Sequence, residues 1–170
     1  MDAEDVVLGI ISAAGCEVEG RTYLQKVAYF VAEIMSIPMG FGPHYYGPYS
    51  STITAETNSQ AAMERLTEAH TGPGYTYALT QEGKEYLKGI QVFDPGGFET
   101  LREIVAKITS TGANYWQLSC AAKLHYLLGQ AEDKISRQEA KEQGGDLGWQ
   151  MSDQDIDTAI EVLQQLDLVH

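Results

Sequence analysis

Arg21, Gln25 and Lys26 sit within about one and a half turns of an amphipathic segment. Arg21 and Gln25 are four residues apart and share a helical face, while Lys26 falls between Tyr23 and Phe30 on another. A lysine among aromatic rings could hold an anion or pair with a carboxylate. The commoner arrangement, which we adopt, buries the stem and leaves the ammonium in water. Some twenty residues on, HYYGPYS places His44, Tyr45, Tyr46 and Tyr49 around a Gly47-Pro48 turn. Each tyrosine combines a large apolar ring with a polar tip, which suits partner contact. Such rings also serve as plugs between helices, and both readings stand open for this loop.

Other chemistry is poorly represented. His44, His70, His125 and His170 are far apart, and no Cys/His pair has finger-like spacing, so no metal site is expected. His125 lies in an apolar helix and reads as a hydrogen-bonded core histidine. The chain has no G-x-S-x-G elbow, and its GPGY turn lacks the lysine of a phosphate-cradling loop. These observations predict no catalytic residue and no cofactor. Cys16 and Cys120 read as reduced, partly buried thiols.

The elements that must position these residues follow from periodicity. Val6, Val7, Ile10 and Ile11 predict a helix over 3–14, and Leu24, Val27, Ala28, Val31 and Ile34 predict a stronger one over 21–36. The glycines and prolines of 40–49 predict a loop, and Ser50 or Ser51 caps a third helix over 52–69. GPGYTYAL changes period and predicts a strand near 75–79, after which Thr80 caps a helix carrying Glu82 and Glu85. The stretch 91–97, QVFDPGG, reads as a linker. Helices are then expected over 98–110, 114–129 and 136–143, the last broken by GGDLGW. Ser152 caps a final helix, and the tail LDLVH reads as ending extended. The fold expected is mainly α. A winged-helix-like N-terminal domain over 1–90, helices plus a small β-hairpin, packs with a C-terminal helical bundle over 98–170.

Three stretches resemble a family. GRTYLQKVAYF (20–30) is similar to a helix of the bacterial and archaeal YwgA-like proteins, GPHYYGPYS (42–50) to their YGPYS loop, and YALTQEGKEYL (77–87) to their wing and following helix. WQLSCAAKLHYL (116–127) is similar to their later core helix. These proteins are distant kin of the Panacea, or SocA-like antitoxin, domain. The resemblance implies a helical fold with a small β element, and by fold analogy the binding of another protein.

The formal net charge is −13, with 24 acidic residues against 11 Lys and Arg that form no run. A nucleic-acid backbone repels such a field unless basic residues gather on one face. Between 50 and 70 the only Lys or Arg is Arg65, which argues against a DNA-reading third helix. The acidic N-terminus lacks a signal peptide's positive charge, and no stretch suits a bilayer. The chain therefore reads as a soluble, cytoplasmic, non-catalytic protein-interaction module, antitoxin-like or adaptor, with a protein partner that its acidity would suit to be basic. Its partner-binding residues would be Arg21, Gln25, Lys26, His44, Tyr45, Tyr46 and Tyr49. A DNA-binding winged-helix regulator is the alternative, and a hydrolase the remote one.

Overall fold

The computed structural model describes residues 1–131 and 134–169. Helix α1 (Ala3–Ala13) begins at a reciprocal Asp2–Asp5 capping box, which satisfies two of its orphan N–H groups. Gly15 and Cys16, both at positive φ, turn the chain into the short strand β1 (Glu17–Glu19). Gly20 then leads straight into α2 (Arg21–Met35). After the tyrosine loop, Ser50 caps α3 (Ser51–Ala62) by accepting the Ile53 N–H at 3.2 Å. A hairpin of β2 (Leu66–Thr71) and β3 (Gly74–Leu79) precedes α4 (Gln81–Gln91), which Thr80 caps through the Gly83 N–H.

The three strands form one antiparallel sheet in the order β1-β3-β2, with Tyr77 of β3 opposite Val18 on one side and Glu68 on the other. Four further helices follow: α5 (Pro95–Ser110), α6 (Tyr115–Gln130), α7 (Arg137–Asp146) and α8 (Asp153–Gln165). The chain is thus mainly helical, with helices and a hairpin in its first half packed on a helical second half.

Two helices occupy the centre. Every residue of α2 from Leu24 to Ala32 is buried, as is every residue of α6 from Leu118 to Leu124. A helix buried on all sides must be surrounded, and α2 packs against α1, α5 and α6. Helices α1 and α5 approach closely at Gly9, where a Cβ would stand 3.0 Å from Leu101. Apolar side chains of both halves, among them Val6, Phe30, Leu118 and Leu163, belong to one core cluster.

Several boundaries differ from those the sequence predicts. The third helix ends at Ala62 rather than 69, because Glu64 adopts φ +59° and the chain turns into β2. Strand β2 buries only Leu66 of its six residues, so it carries no alternating pattern and is held by pairing with β3. Strand β1, unpredicted, has a single buried residue, Val18. Within 91–97 only 92–94 lie outside helices, since Asp94 caps α5 and Pro95 occupies its first turn. Helix α7 runs through Gly144 and Gly145 instead of breaking there. Residues 166–169 are not an extended strand: Asp167 takes φ +58° and the Leu168 N–H bonds back to Leu163, while His170 lies outside the described residues. Among the described residues, no helix is long and apolar enough to cross a membrane.

Candidate functional site

The first turns of α2 and α3, the 42–50 loop and Tyr77 of β3 enclose a cleft of about 350 Å³. Arg21, Gln25, Lys26, His44, Tyr46 and Tyr49 line it, so six of the seven residues singled out above converge. Tyr45 is not part of the lining. It packs edge-to-face on Tyr46, ring centroids 4.8 Å apart, at the exposed tip of the loop.

The loop is fastened from three directions. Gln25 acts like a strand partner for Ser50. Its amide nitrogen donates to the Ser50 carbonyl at 2.9 Å, and its carbonyl oxygen accepts the Ser50 N–H at 3.0 Å. The same nitrogen reaches Thr54 Oγ1 at 2.9 Å. Lys26 Nζ donates to the Pro48 carbonyl at 2.6 Å. From the second half of the chain, Trp149 Nε1 donates to the His44 carbonyl, also at 2.6 Å. Gly42 and Tyr49 close the loop's base by pairing both backbone groups, and the His44 ring tilts over that of Tyr49.

Gly47 is required for this packing. It sits at φ +99°, and a Cβ there would meet Lys123 Cγ at 3.0 Å, the Ser119 carbonyl at 3.3 Å and Lys26 Cε at 3.6 Å. The loop therefore lies directly on α6, wedged between two lysines. Both are only 2% exposed.

The electrostatics of these lysines are unusual. Among the described residues Lys26 forms no ion pair, and the Pro48 carbonyl is the one acceptor its ammonium has. Burial and the neighbouring Lys123 together pull its pKa down to about 7. Burial also lowers Lys123, against the opposing pull of Cys120 and Asp155, and its ammonium stands 4.8 Å from the centre of the Trp116 ring. The sequence reading left the Lys26 ammonium in water. The structure buries it, because α2 is enclosed on every side and the loop covers what remains. No aromatic ring stacks on Lys26 among the described residues, although Tyr23 and Phe30 are near it in sequence.

Arg21 works at the rim. Its guanidinium lies 3.4 Å from the centre of the Tyr75 ring, gives a hydrogen bond to the Tyr77 hydroxyl at 3.0 Å and pairs with Glu68 at 3.1 Å. Burial is the main reason that Tyr77 is pushed up to about 12. Among the described residues, no Asp or Glu lines the cleft, in a chain where acids outnumber Lys and Arg by more than two to one.

Elsewhere, His125 Nδ1 shares a 2.8 Å hydrogen bond with the Tyr29 hydroxyl in half-buried surroundings, and burial lowers its pKa. Both cysteines are free thiols, and burial pushes Cys120 up to about 11. Arg65 is held by Glu4 at 2.9 Å and stacks on Tyr86. Among the described residues, no three His, Cys, Asp or Glu side chains gather as metal ligands.

Sequence reasoning missed Lys123, Trp149, Thr54 and Tyr77. A signal existed for the first: a lysine inside the otherwise apolar run SCAAKLHYLL has to be paired, shielded or used. Nothing in the sequence links Trp149 to a carbonyl 105 positions away. No protein-family model matches the chain, and neither does any curated protein.

Proposed function

We propose that this protein is a non-catalytic protein-interaction module, antitoxin-like or adaptor in kind, that holds its partner through the surface around the YGPYS loop. One observation carries this reading. Tyr45 and Tyr46 are 73% and 43% exposed, on a loop whose backbone is fixed by Gln25, Lys26 and Trp149. An exposed aromatic pair on a rigid support loses little entropy on binding, and such residues dominate interface energetics.

Three of the stretches that resemble YwgA-like proteins, 20–30, 42–50 and 77–87, each contribute residues to the same cleft. Kinship with that family and with Panacea domains is part of this proposal and rests on the sequence resemblance of those stretches. The order α1-β1-α2-α3-β2-β3, with β3 between its two partners, agrees with a winged-helix layout. A DNA-reading role has less support. Arg65 is engaged by Glu4 and Tyr86, and the hairpin tip, with Thr71 and Gly74 at its strand ends, carries no basic residue. An acidic chain approaches a basic partner faster than a neutral one, so capture should weaken as salt rises.

The test is recovery of a stoichiometric partner from native lysate by the wild-type protein, compared with a Tyr45→Ala, Tyr46→Ala double variant. Loss of that partner from the double variant supports the reading. Equal recovery by both proteins defeats it.

A further inference from the structure

The cleft lined by Tyr46 and Tyr49 is also lined by a buried lysine, Lys26, that has no carboxylate partner among the described residues. An ammonium carries three donors, and that of Lys26 uses one on Pro48. Burying a charge without an opposite one is costly, and here a second buried lysine, Lys123, increases the cost. Thr54 lines the same space. Its hydroxyl oxygen accepts from Gln25, which leaves its own proton to be given to something in the cleft. Asn58 adds an amide at the edge, where the Arg21 guanidinium is taken up by Glu68, and among the described residues no carboxylate lines the cleft itself.

We propose that this cleft receives one carboxylate group presented by the partner polypeptide, with Lys26 as the buried cation and Thr54 as a second donor. The inference rests on the protein-interaction reading above and specifies what the cleft recognises.

Charge selects a carboxylate over a phosphate. Arg21 is already paired with Glu68, so the lining offers one uncompensated buried cation, which suits a monoanion and not a dianion. Size agrees, because about 350 Å³ is at the small end of ligand pockets and fits a side chain or a chain terminus. The tyrosine rim points to a polypeptide, since Tyr46 belongs both to the cleft wall and to the exposed aromatic pair. A bound carboxylate can come from an Asp or Glu side chain or from a C-terminus. The chemistry at Lys26 is the same for both.

The test is a titration followed through backbone amide and Lys26 side-chain NMR signals at fixed ionic strength. The probes are sodium acetate, neutral acetamide, and two N-acetylated pentapeptides. One peptide ends in a free carboxylate and has no acidic side chain, and the other is amidated with a central Glu. Acetate is expected to shift residues 42–54 and the Lys26 ε-methylene saturably, and to raise the Lys26 titration midpoint. Acetamide is expected to do neither. At least one peptide should bind about tenfold tighter than acetate, and whichever it is identifies the carboxylate source. Lys26→Met should weaken acetate binding by about tenfold or more, and the titration of the wild-type amine serves if that variant fails to fold.

Equal responses to acetate and acetamide, or an unmoved Lys26 titration, would overturn the site. Peptides that bind no better than acetate would overturn the polypeptide source. Partner capture that survives in Lys26→Met while Tyr45→Ala, Tyr46→Ala loses it would leave the interaction reading standing and remove the carboxylate site.

Discussion

Gln25 and Ser50, 25 residues apart, are joined by two hydrogen bonds between one side-chain amide and both backbone groups of a single residue. A side chain thus does for the start of α3 what a neighbouring strand would do. Among the described residues the Ser50 N–H has no other partner, and Ser50 is fully buried. Gln25→Leu keeps most of the volume and removes both bonds. It should cost about 2 kcal/mol, the penalty for a buried donor left unmade. Urea denaturation should show a lower midpoint with an unchanged slope.

Gly47 and Gly15 make a controlled comparison. Their φ values are close, +99° and +90°, but a Cβ at Gly15 meets nothing within 4 Å, while one at Gly47 presses on Lys123 and the Ser119 carbonyl. Gly15→Ala should lose roughly 1 kcal/mol from backbone strain alone. Gly47→Ala should lose about 2 kcal/mol or more, because the loop must lift from α6 as well. Similar losses in the two variants would mean that the loop does not bear on α6.

The sequence conveyed some of this arrangement and hid the rest for identifiable reasons. Long helices with a periodic apolar stripe, such as α2 and α8, were legible because periodicity is a local property. Strand β2 was not, since five of its six residues are exposed and its shape comes from its pairing with β3. The glycines of α7 mislead in a similar way. Gly144 is needed where the helix meets the Trp149 carbonyl, 3.1 Å from where its Cβ would be, and that contact outweighs poor helix propensity. For the cleft, residue types drew attention to six residues that the fold brings together in its lining. The burial of the Lys26 ammonium was invisible, because it depends on α6 and the loop both packing against α2.

That burial has a consequence for stability against pH. Lys26 falls from 10.5 in an ordinary environment to about 7 in the fold, so the folded state disfavours its charged form. Below about pH 7 both states are protonated and the full penalty applies. Between about 7 and 10.5 the unfolded chain binds more protons than the folded one, so this group's contribution rises with pH. Lys123 of α6 is the charge that acts on it, Cys120 and Asp155 act in turn on Lys123, and Arg21, His44 and Tyr49 line the same cleft. These remain in Lys26→Met and should largely cancel in a comparison. The stability of wild type relative to Lys26→Met should therefore increase from pH 6 to pH 9, by at most about 1.4 kcal/mol per pH unit. Parallel stability curves for the two proteins would show that the ammonium is solvated.

The tyrosines of the loop should divide by role. Tyr49 has both backbone groups paired with Gly42, lies half-buried under His44 and forms part of the cleft wall. Tyr49→Ala removes that ring from a packed position and should lower stability by about 2 kcal/mol or more. Tyr45 is largely exposed and touches Tyr46 at its edge, so Tyr45→Ala should change stability by no more than about 0.5 kcal/mol. Partner affinity should follow the opposite order. An anchoring aromatic at the centre of an interface is worth about 2 kcal/mol, so Tyr45→Ala or Tyr46→Ala should weaken capture about thirtyfold. Tyr49→Ala should weaken it only in proportion to the protein that unfolds. Thermal melts and capture titrations on the same three variants separate the roles. If every variant loses stability and none loses affinity once corrected for the folded fraction, the ring pair at the loop tip is packing and the partner binds elsewhere.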